Sequence, residues 1–175
     1  MRRLLIPLLM LMLLVSCGMQ SGTWDGPRDQ VIATLQERVN ELDATDLSGV
    51  QWNLEQMRGK VVLIDFWATW CGPCLVELPH LQQAYARYRQ DGFVILGISL
   101  DEGDVDTFRD FLEQQGVPWP QIFDGRGFEA KVARDFGITA IPRSILIDRE
   151  GKILSLNLRG RQVIAQVAKA VEQPS

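Results

Sequence analysis

Two hydrophobic periods alternate along this chain. Residues 61–66, 93–99 and 144–148 are short apolar runs rich in branched side chains, which predict buried β-strands. Elsewhere apolar positions fall three and four apart, the spacing of one helix face. Over 28–43 that face carries Val31, Ile32, Leu35, Val39 and Leu42, and over 71–90 Leu78, Leu81, Tyr85 and Tyr88. Over 105–115 it carries Phe108, Phe111 and Leu112, and over 161–173 Val163, Ile164, Val167 and Val171. Residues 129–136 predict a short helix, and Ile122-Phe123 a short strand. Residues 46–57 alternate weakly and end at Arg58-Gly59-Lys60, a turn signal, which predicts a short strand and an entry segment. Asp148-Arg149-Glu150-Gly151 predicts a tight turn that joins the third run to 153–158 as a hairpin. Pro79 falls inside the 71–90 pattern and predicts a kink, because it lacks an amide donor and crowds the preceding turn. Strands alternating with helices, then a hairpin and a last helix, describe an α/β sheet with helices on both faces.

The first residues follow neither period. Arg2 and Arg3 precede an apolar run over 4–15, broken only by Pro7. That run is shorter than the about 20 residues of an ordinary membrane span. A charged start with a short apolar core predicts an export signal over 1–16. It ends in Leu14-Val15-Ser16-Cys17, which resembles the lipobox of bacterial lipoproteins, where cleavage precedes a cysteine that becomes lipid-modified. Cys17 is then a lipidation site that reaches the bilayer. Residues 17–27 hold Gly, Ser, Gln, Thr, Asp and Pro and form a tether that spans at most roughly 35 Å. The alternative is a plain secretory signal followed by a coincidental cysteine.

A chain of 175 residues, 46% hydrophobic and 23% charged, has the balance of one globular domain and enough length for a core without disulfide staples. The net charge of −4 and the lack of a basic face argue against a nucleic-acid partner. Three cysteines is an odd count. Lipid on Cys17 leaves Cys71 and Cys74 as a self-contained pair, in a compartment where disulfides persist.

The pair lies where the 61–66 strand hands over to the 71–90 helix. Amides at a helix start lack intrahelical partners, and the helix dipole is positive there, so a thiolate is favoured at Cys71. The thiolate is the form that attacks disulfides. Cys74, one turn further in, is placed to attack a mixed disulfide formed at Cys71. Gly72 permits close approach, and Pro73 suits an early helical position. Other uses of the pair fit less well. A structural zinc site needs a second pair of ligands. A covalent haem site needs His where Leu75 stands. A purely structural disulfide across a two-residue gap closes almost no loop and stabilises little. No metal or further cofactor is called for, because the dithiol is itself the redox centre. Asp65 is an unusual acid inside an apolar strand, and a buried carboxyl there would ionise late and move protons for Cys74. His80, Lys60 and the acidic run over 101–106 read as solvated surface. Trp52 and Trp119 carry no assignable role.

The stretch Phe66-Trp67-Ala68-Thr69-Trp70-Cys71-Gly72-Pro73-Cys74, with Glu77 and Pro79 after it, resembles thioredoxin-fold proteins. It most resembles the membrane-anchored TlpA/ResA-like thiol-disulfide oxidoreductases. The similarity continues in Gly137-Ile138-Thr139-Ala140-Ile141-Pro142 and in Ile145-Leu146-Ile147-Asp148-Arg149-Glu150-Gly151, and covers 47–171. It implies a thioredoxin-like three-layer sandwich over 46–175, a central mixed sheet flanked by helices, preceded by an N-terminal helix over 28–45. Pro142 matches the family's cis-proline beside the dithiol, and Ile141 lines the same groove. Asp65 matches thioredoxin's buried acid. An acid at Glu77 is characteristic of the group and tunes the cysteines; the alternative is a solvated helix glutamate. Trp67 is a core aromatic and Trp70 a rim aromatic. The resemblance thus makes Cys71, Cys74, Asp65 and Glu77 catalytic, with Trp70, Gly72, Pro73, Ile141 and Pro142 binding substrate. Residues 101–130 are longer than thioredoxin requires between its central strands, an insertion shared with TlpA-like and peroxiredoxin-like proteins.

The expected function is a lipid-anchored enzyme of the cell envelope, facing the periplasm or the outer cell surface. It exchanges its dithiol with disulfides of exported cysteine-containing proteins, apocytochrome c being one example from the family. A membrane electron-donor thiol protein resets it. Gly72-Pro73 matches reducing thioredoxin and points to a reductase. Two other classes stay open at this point. A peroxiredoxin-like peroxidase normally carries Pro and Thr before its reactive cysteine, where this chain has Trp70. A copper chaperone or redox-sensing module on this fold uses a three-residue gap and a remote histidine.

Overall fold

The computed structural model describes residues 27–173. The expected signal over 1–16, Cys17 and the tether up to residue 26 lie outside the described residues. Helix α1 (Pro27–Asn40) leads to an antiparallel hairpin, β1 (Asp43–Thr45) and β2 (Gln51–Asn53), and to a single turn, α2 (Leu54–Met57). Within 46–57 the expected short strand is β2, and the turn that leads into it is built by Asp46. Its Oδ1 accepts from the amides of Ser48 (2.8 Å) and Val50 (3.0 Å), which bends the chain into a turn. Its Oδ2 accepts from the indole of the buried Trp52 at 2.9 Å, which gives that tryptophan its role. Asn53 then ends β2 and caps α2 by accepting from the Gln56 amide at 3.0 Å.

The main sheet has five strands in the order β5-β4-β3-β6-β7. They are β3 (Val61–Trp67), β4 (Phe93–Ser99), β5 (Gln121–Ile122), β6 (Arg143–Ile147) and β7 (Ile153–Leu156). Every residue of β3 is buried, Asp65 included, as an apolar run broken only by that acid predicts for a central strand. It pairs parallel to β4 and antiparallel to β6, so the sheet is mixed. The two parallel crossovers, β3 to β4 and β4 to β5, step the same way across the sheet. Right-handed connections then put α3 (Gly72–Tyr88) and α4 (Val105–Gln115) on one face. Gln82 of α3 ties them by donating to the carbonyls of Gln115 (2.7 Å) and Gly116 (3.1 Å). Helix α6 (Arg161–Glu172) packs against α3 on that face.

Side chains along β3 alternate between the layers. Trp67 meets Phe108 and Phe111 of α4, with ring centroids 5.9 and 6.2 Å away. Phe66 points the other way, onto Phe136 at the end of α5 (Lys131–Asp135). The helix expected over 129–136 is a 3₁₀ turn (Gly127–Glu129) followed by α5. Helix α3 runs through Pro79 without a break. Helix α1 docks on the edge of the sheet: Gln36 donates to the Gly151 carbonyl (2.8 Å) and accepts from the Ile153 amide (3.0 Å). At the base, Arg149 donates to the carbonyls of Gly59 (2.9 Å), Asp91 (3.0 Å) and Val171 (3.2 Å). No helix among the described residues is long and apolar enough to cross a membrane.

Candidate active site

Strand β3 ends at Trp67, whose indole donates to Gln121 Oε1 at 3.0 Å. Shortly after it, Cys71 caps α3. Its Sγ accepts from the Cys74 amide at 3.3 Å, and its carbonyl accepts from Cys74 (2.9 Å) and Leu75 (3.1 Å). Cys71 and Cys74 form a disulfide, with sulfurs 2.05 Å and Cα atoms 5.2 Å apart. An amide aimed at Sγ from the first helical turn stabilises a thiolate there once the bond is opened. Cys71 is 5% and Cys74 2% exposed, so both are buried in the oxidised protein. Gly72 and Pro73 are exposed on the first turn of α3.

The antiparallel pairing of β6 with β3 brings the start of β6 to the dithiol end of the sheet: Phe66 pairs with Arg143 and Asp65 with Ser144. The Ile141–Pro142 peptide immediately before β6 is cis, and both side chains are half-buried. Asp65 is buried at 8% exposure, and its carboxyl makes no hydrogen bond or ion pair among the described residues. Burial pushes that carboxyl up to about 7; the Arg159 guanidinium pulls it down and the Glu77 carboxylate pushes it further up. Glu77 is half-buried rather than solvated. Its Oε2 accepts from the Gly160 amide at 2.6 Å, at the start of α6.

Arg159 escapes sequence reading because it lies in the short link between β7 and α6, where nothing in the local pattern marks it. Its guanidinium donates to the Pro142 carbonyl and, at 2.7 Å, to its own neighbour's carbonyl at Leu158. It thereby joins the cis-proline segment to the electrostatic surroundings of Asp65. His80 is half-buried rather than solvated.

Asp101 corrects the reading of 101–106 as solvated surface. It is buried at 7% exposure. It accepts from the Thr69 amide with both oxygens (3.0 and 3.1 Å), from the Thr69 hydroxyl (2.6 Å) and from the Ser99 hydroxyl (2.8 Å). Only the sheet register reveals it. Trp67 pairs with Ser99 in parallel strands, so Thr69 and Asp101 each lie two residues past a paired position. The carboxylate thus fixes the loop that delivers Trp70 and Cys71. Trp70 is 59% exposed, and its ring lies 6.4 Å from that of Phe128 in the insertion. Among the described residues, no group of three or more His, Cys, Asp or Glu side chains comes together to hold a metal ion.

Residues 35–155 match the AhpC/TSA family. Over 129 residues the chain is 31% identical to the thiol-disulfide oxidoreductase ResA of Bacillus thuringiensis subsp. konkukian, spanning 74% of this chain and 72% of that one. The thioredoxin domain of a thiol-disulfide oxidoreductase from Bacteroides vulgatus superposes with a TM-score of 0.66 at 31% identity, over 75% of this chain and 93% of that one. A thiol:disulfide interchange protein from Bacteroides sp. gives 0.65 at 31% identity, over 75% and 86%. Sequence, backbone and paired sulfurs agree: the chain belongs to the AhpC/TSA family, as a thioredoxin-fold thiol-disulfide oxidoreductase of the ResA type.

Proposed function

We propose that this oxidoreductase is held to the membrane by lipid on Cys17, faces the periplasm or the outer cell surface, and reduces disulfides in exported proteins. The observation that carries the chemistry is the Cys71–Cys74 disulfide capping α3, with an amide directed at Cys71 Sγ. Leu14-Val15-Ser16-Cys17 after a charged, apolar start supports the anchor. In the reduced enzyme, Cys71 Sγ attacks one sulfur of the substrate disulfide and the other sulfur leaves as a thiolate. Cys74 Sγ then attacks Cys71 Sγ, which frees the substrate dithiol and leaves the Cys71–Cys74 disulfide. Two electrons pass from enzyme to substrate.

Asp65 takes the Cys74 proton in the second step, since a carboxyl ionising near 7 exchanges protons at working pH. Arg159 and Glu77, the latter fixed by the Gly160 amide, pull the Asp65 carboxyl in opposite directions and so adjust where burial has placed it. Trp70, Gly72, Pro73, Ile141 and Pro142 form the surface on which the substrate strand lies. A membrane thiol protein returns the electrons, and exported cysteine proteins such as apocytochrome c are the substrate class.

A Cys74→Ser variant expressed in its own host tests this reading by arresting the first step. Mixed disulfides through Cys71 to exported proteins are the expected result. No Cys71-linked partner, together with no insulin-disulfide reduction by the wild type, sinks it. Hydrogen-peroxide consumption by the reduced protein would transfer the site to peroxidase chemistry. Copper binding lost on Cys71→Ser would point to a chaperone.

A further inference from the structure

We infer that Trp70 and Phe128 form a two-ring seat that selects polypeptide disulfides carrying a large apolar side chain beside the reacting cysteine. The inference rests on the oxidoreductase reading and narrows its substrate class.

The two rings come from distant segments, the β3–α3 loop and the insertion before α5, and both face solvent at 59% and 37% exposure. Their centroids are 6.4 Å apart and their planes tilted by 51°, so they meet at an angle with apolar faces left free. Single exposed aromatics are ordinary. This pair differs because one buried residue holds both supports. The Asp101 carboxylate fixes Thr69, next to Trp70. The Asp101 carbonyl accepts from the Gly127 amide at 3.3 Å, next to Phe128. Gly127 is in the left-handed region at φ +57°, and a Cβ there would come 2.6 Å from Glu102 Oε1, so the turn presenting Phe128 requires glycine.

Reach identifies the occupant. A mixed disulfide at Cys71 holds the substrate's Cα about 5–6 Å from that of Cys71. The next substrate residue follows about 3.8 Å further on. Trp70 is bonded directly to Cys71, so a residue next to the substrate cysteine lies within side-chain reach of Trp70 and of the ring beside it. A leucine there covers ring faces that a serine leaves wet.

Two synthetic peptides test this, identical except for Leu or Ser next to a single cysteine. Each cysteine is joined as a mixed disulfide to 5-thio-2-nitrobenzoate. The Cys71 thiolate attacks the peptide sulfur and expels the coloured thiolate; Cys74 then displaces the peptide thiol and the enzyme disulfide closes. Rates are read on the reduced full chain, with Cys71→Ser as background. The Leu peptide is expected to react about tenfold faster. Phe128→Ser is expected to lower that ratio at least threefold, through the Leu peptide alone. Phe128→Gln, which keeps bulk without an apolar ring, makes the same comparison should the smaller residue unfold the loop. Equal wild-type rates, or an undiminished ratio in a folded Phe128 variant, overturn the seat and leave the dithiol chemistry standing. No Cys71-dependent release from either peptide overturns both readings.

Discussion

Replacing Asp65 by Asn is expected to stabilise the oxidised protein at neutral and alkaline pH and to change nothing near pH 3. The protonated carboxyl and the amide have nearly the same shape and neither is charged, so the comparison isolates the charge. In the folded chain this carboxyl ionises near 7, against an ordinary value of 3.8, because burial withdraws it from water. Below 3.8 it is protonated in both folded and unfolded chains. Between 3.8 and 7 the unfolded chain has shed the proton and the folded one keeps it, so stability falls as pH rises, by about 1.4 kcal/mol per pH unit. Above 7 both states are ionised and the loss is complete, at about 4 kcal/mol. The uncharged amide of the variant carries none of this. The stability difference between variant and wild type therefore opens to about 2 kcal/mol near pH 5.4 and about 4 kcal/mol at pH 8. Urea unfolding of the oxidised proteins from pH 4 to pH 8 measures it, provided the denaturant slopes agree. A difference that stays constant across that range, or wild type the more stable at pH 8, refutes the buried, late-ionising carboxyl.

Three further substitutions probe the same end of the molecule, and a fourth the sheet. Arg159→Met removes the charge that pulls Asp65 down, so the pH dependence of mixed-disulfide resolution moves to more alkaline pH, while Arg159→Lys restores much of it. Glu77→Gln removes the charge that pushes Asp65 up and moves the same profile to more acidic pH; equal signs for these two variants would refute their opposed roles. Asp101→Ala strips the Thr69 amide of its buried acceptor and is expected to cost about 2–3 kcal/mol in thermal denaturation, with slower insulin reduction. Gly97→Ala puts a Cβ 2.2 Å from Gln121 Oε1, the acceptor for Trp67, and is expected to lower urea stability by about 1–3 kcal/mol.

What could be read from the sequence was what local periodicity controls. Strand β4 and helix α4 fall where their patterns put them, because Asp104 caps one end of α4 by accepting from Thr107 and Gly116 closes the other. Cys71, Cys74 and the acid inside β3 were visible because strand, helix start and apolar context are all local features. The hairpin of β1 and β2 was not, since its turn depends on Asp46 gathering two amides and the Trp52 indole. Asp101 was hidden for a related reason: acids in a run read as solvated unless the parallel register that meets Thr69 is known. Arg159 and Phe128 have no periodic neighbours, and only packing brings them to the dithiol end.

The antiparallel pairing of β6 with β3 also sets when the site comes into being. Cys71 is made early, but Ile141, Pro142 and the strand that seats them arrive only after the insertion, and Arg159 later still. A chain emerging from a ribosome therefore carries its two thiols well before it carries a groove. Closing so long a stretch of backbone is slow compared with forming α3 alone. Until that closure the thiols have the amides of α3's first turn but no groove on which a substrate strand can lie. What completed folding adds to the nascent chain is thus selectivity for a target, which β6 brings, rather than the thiols themselves.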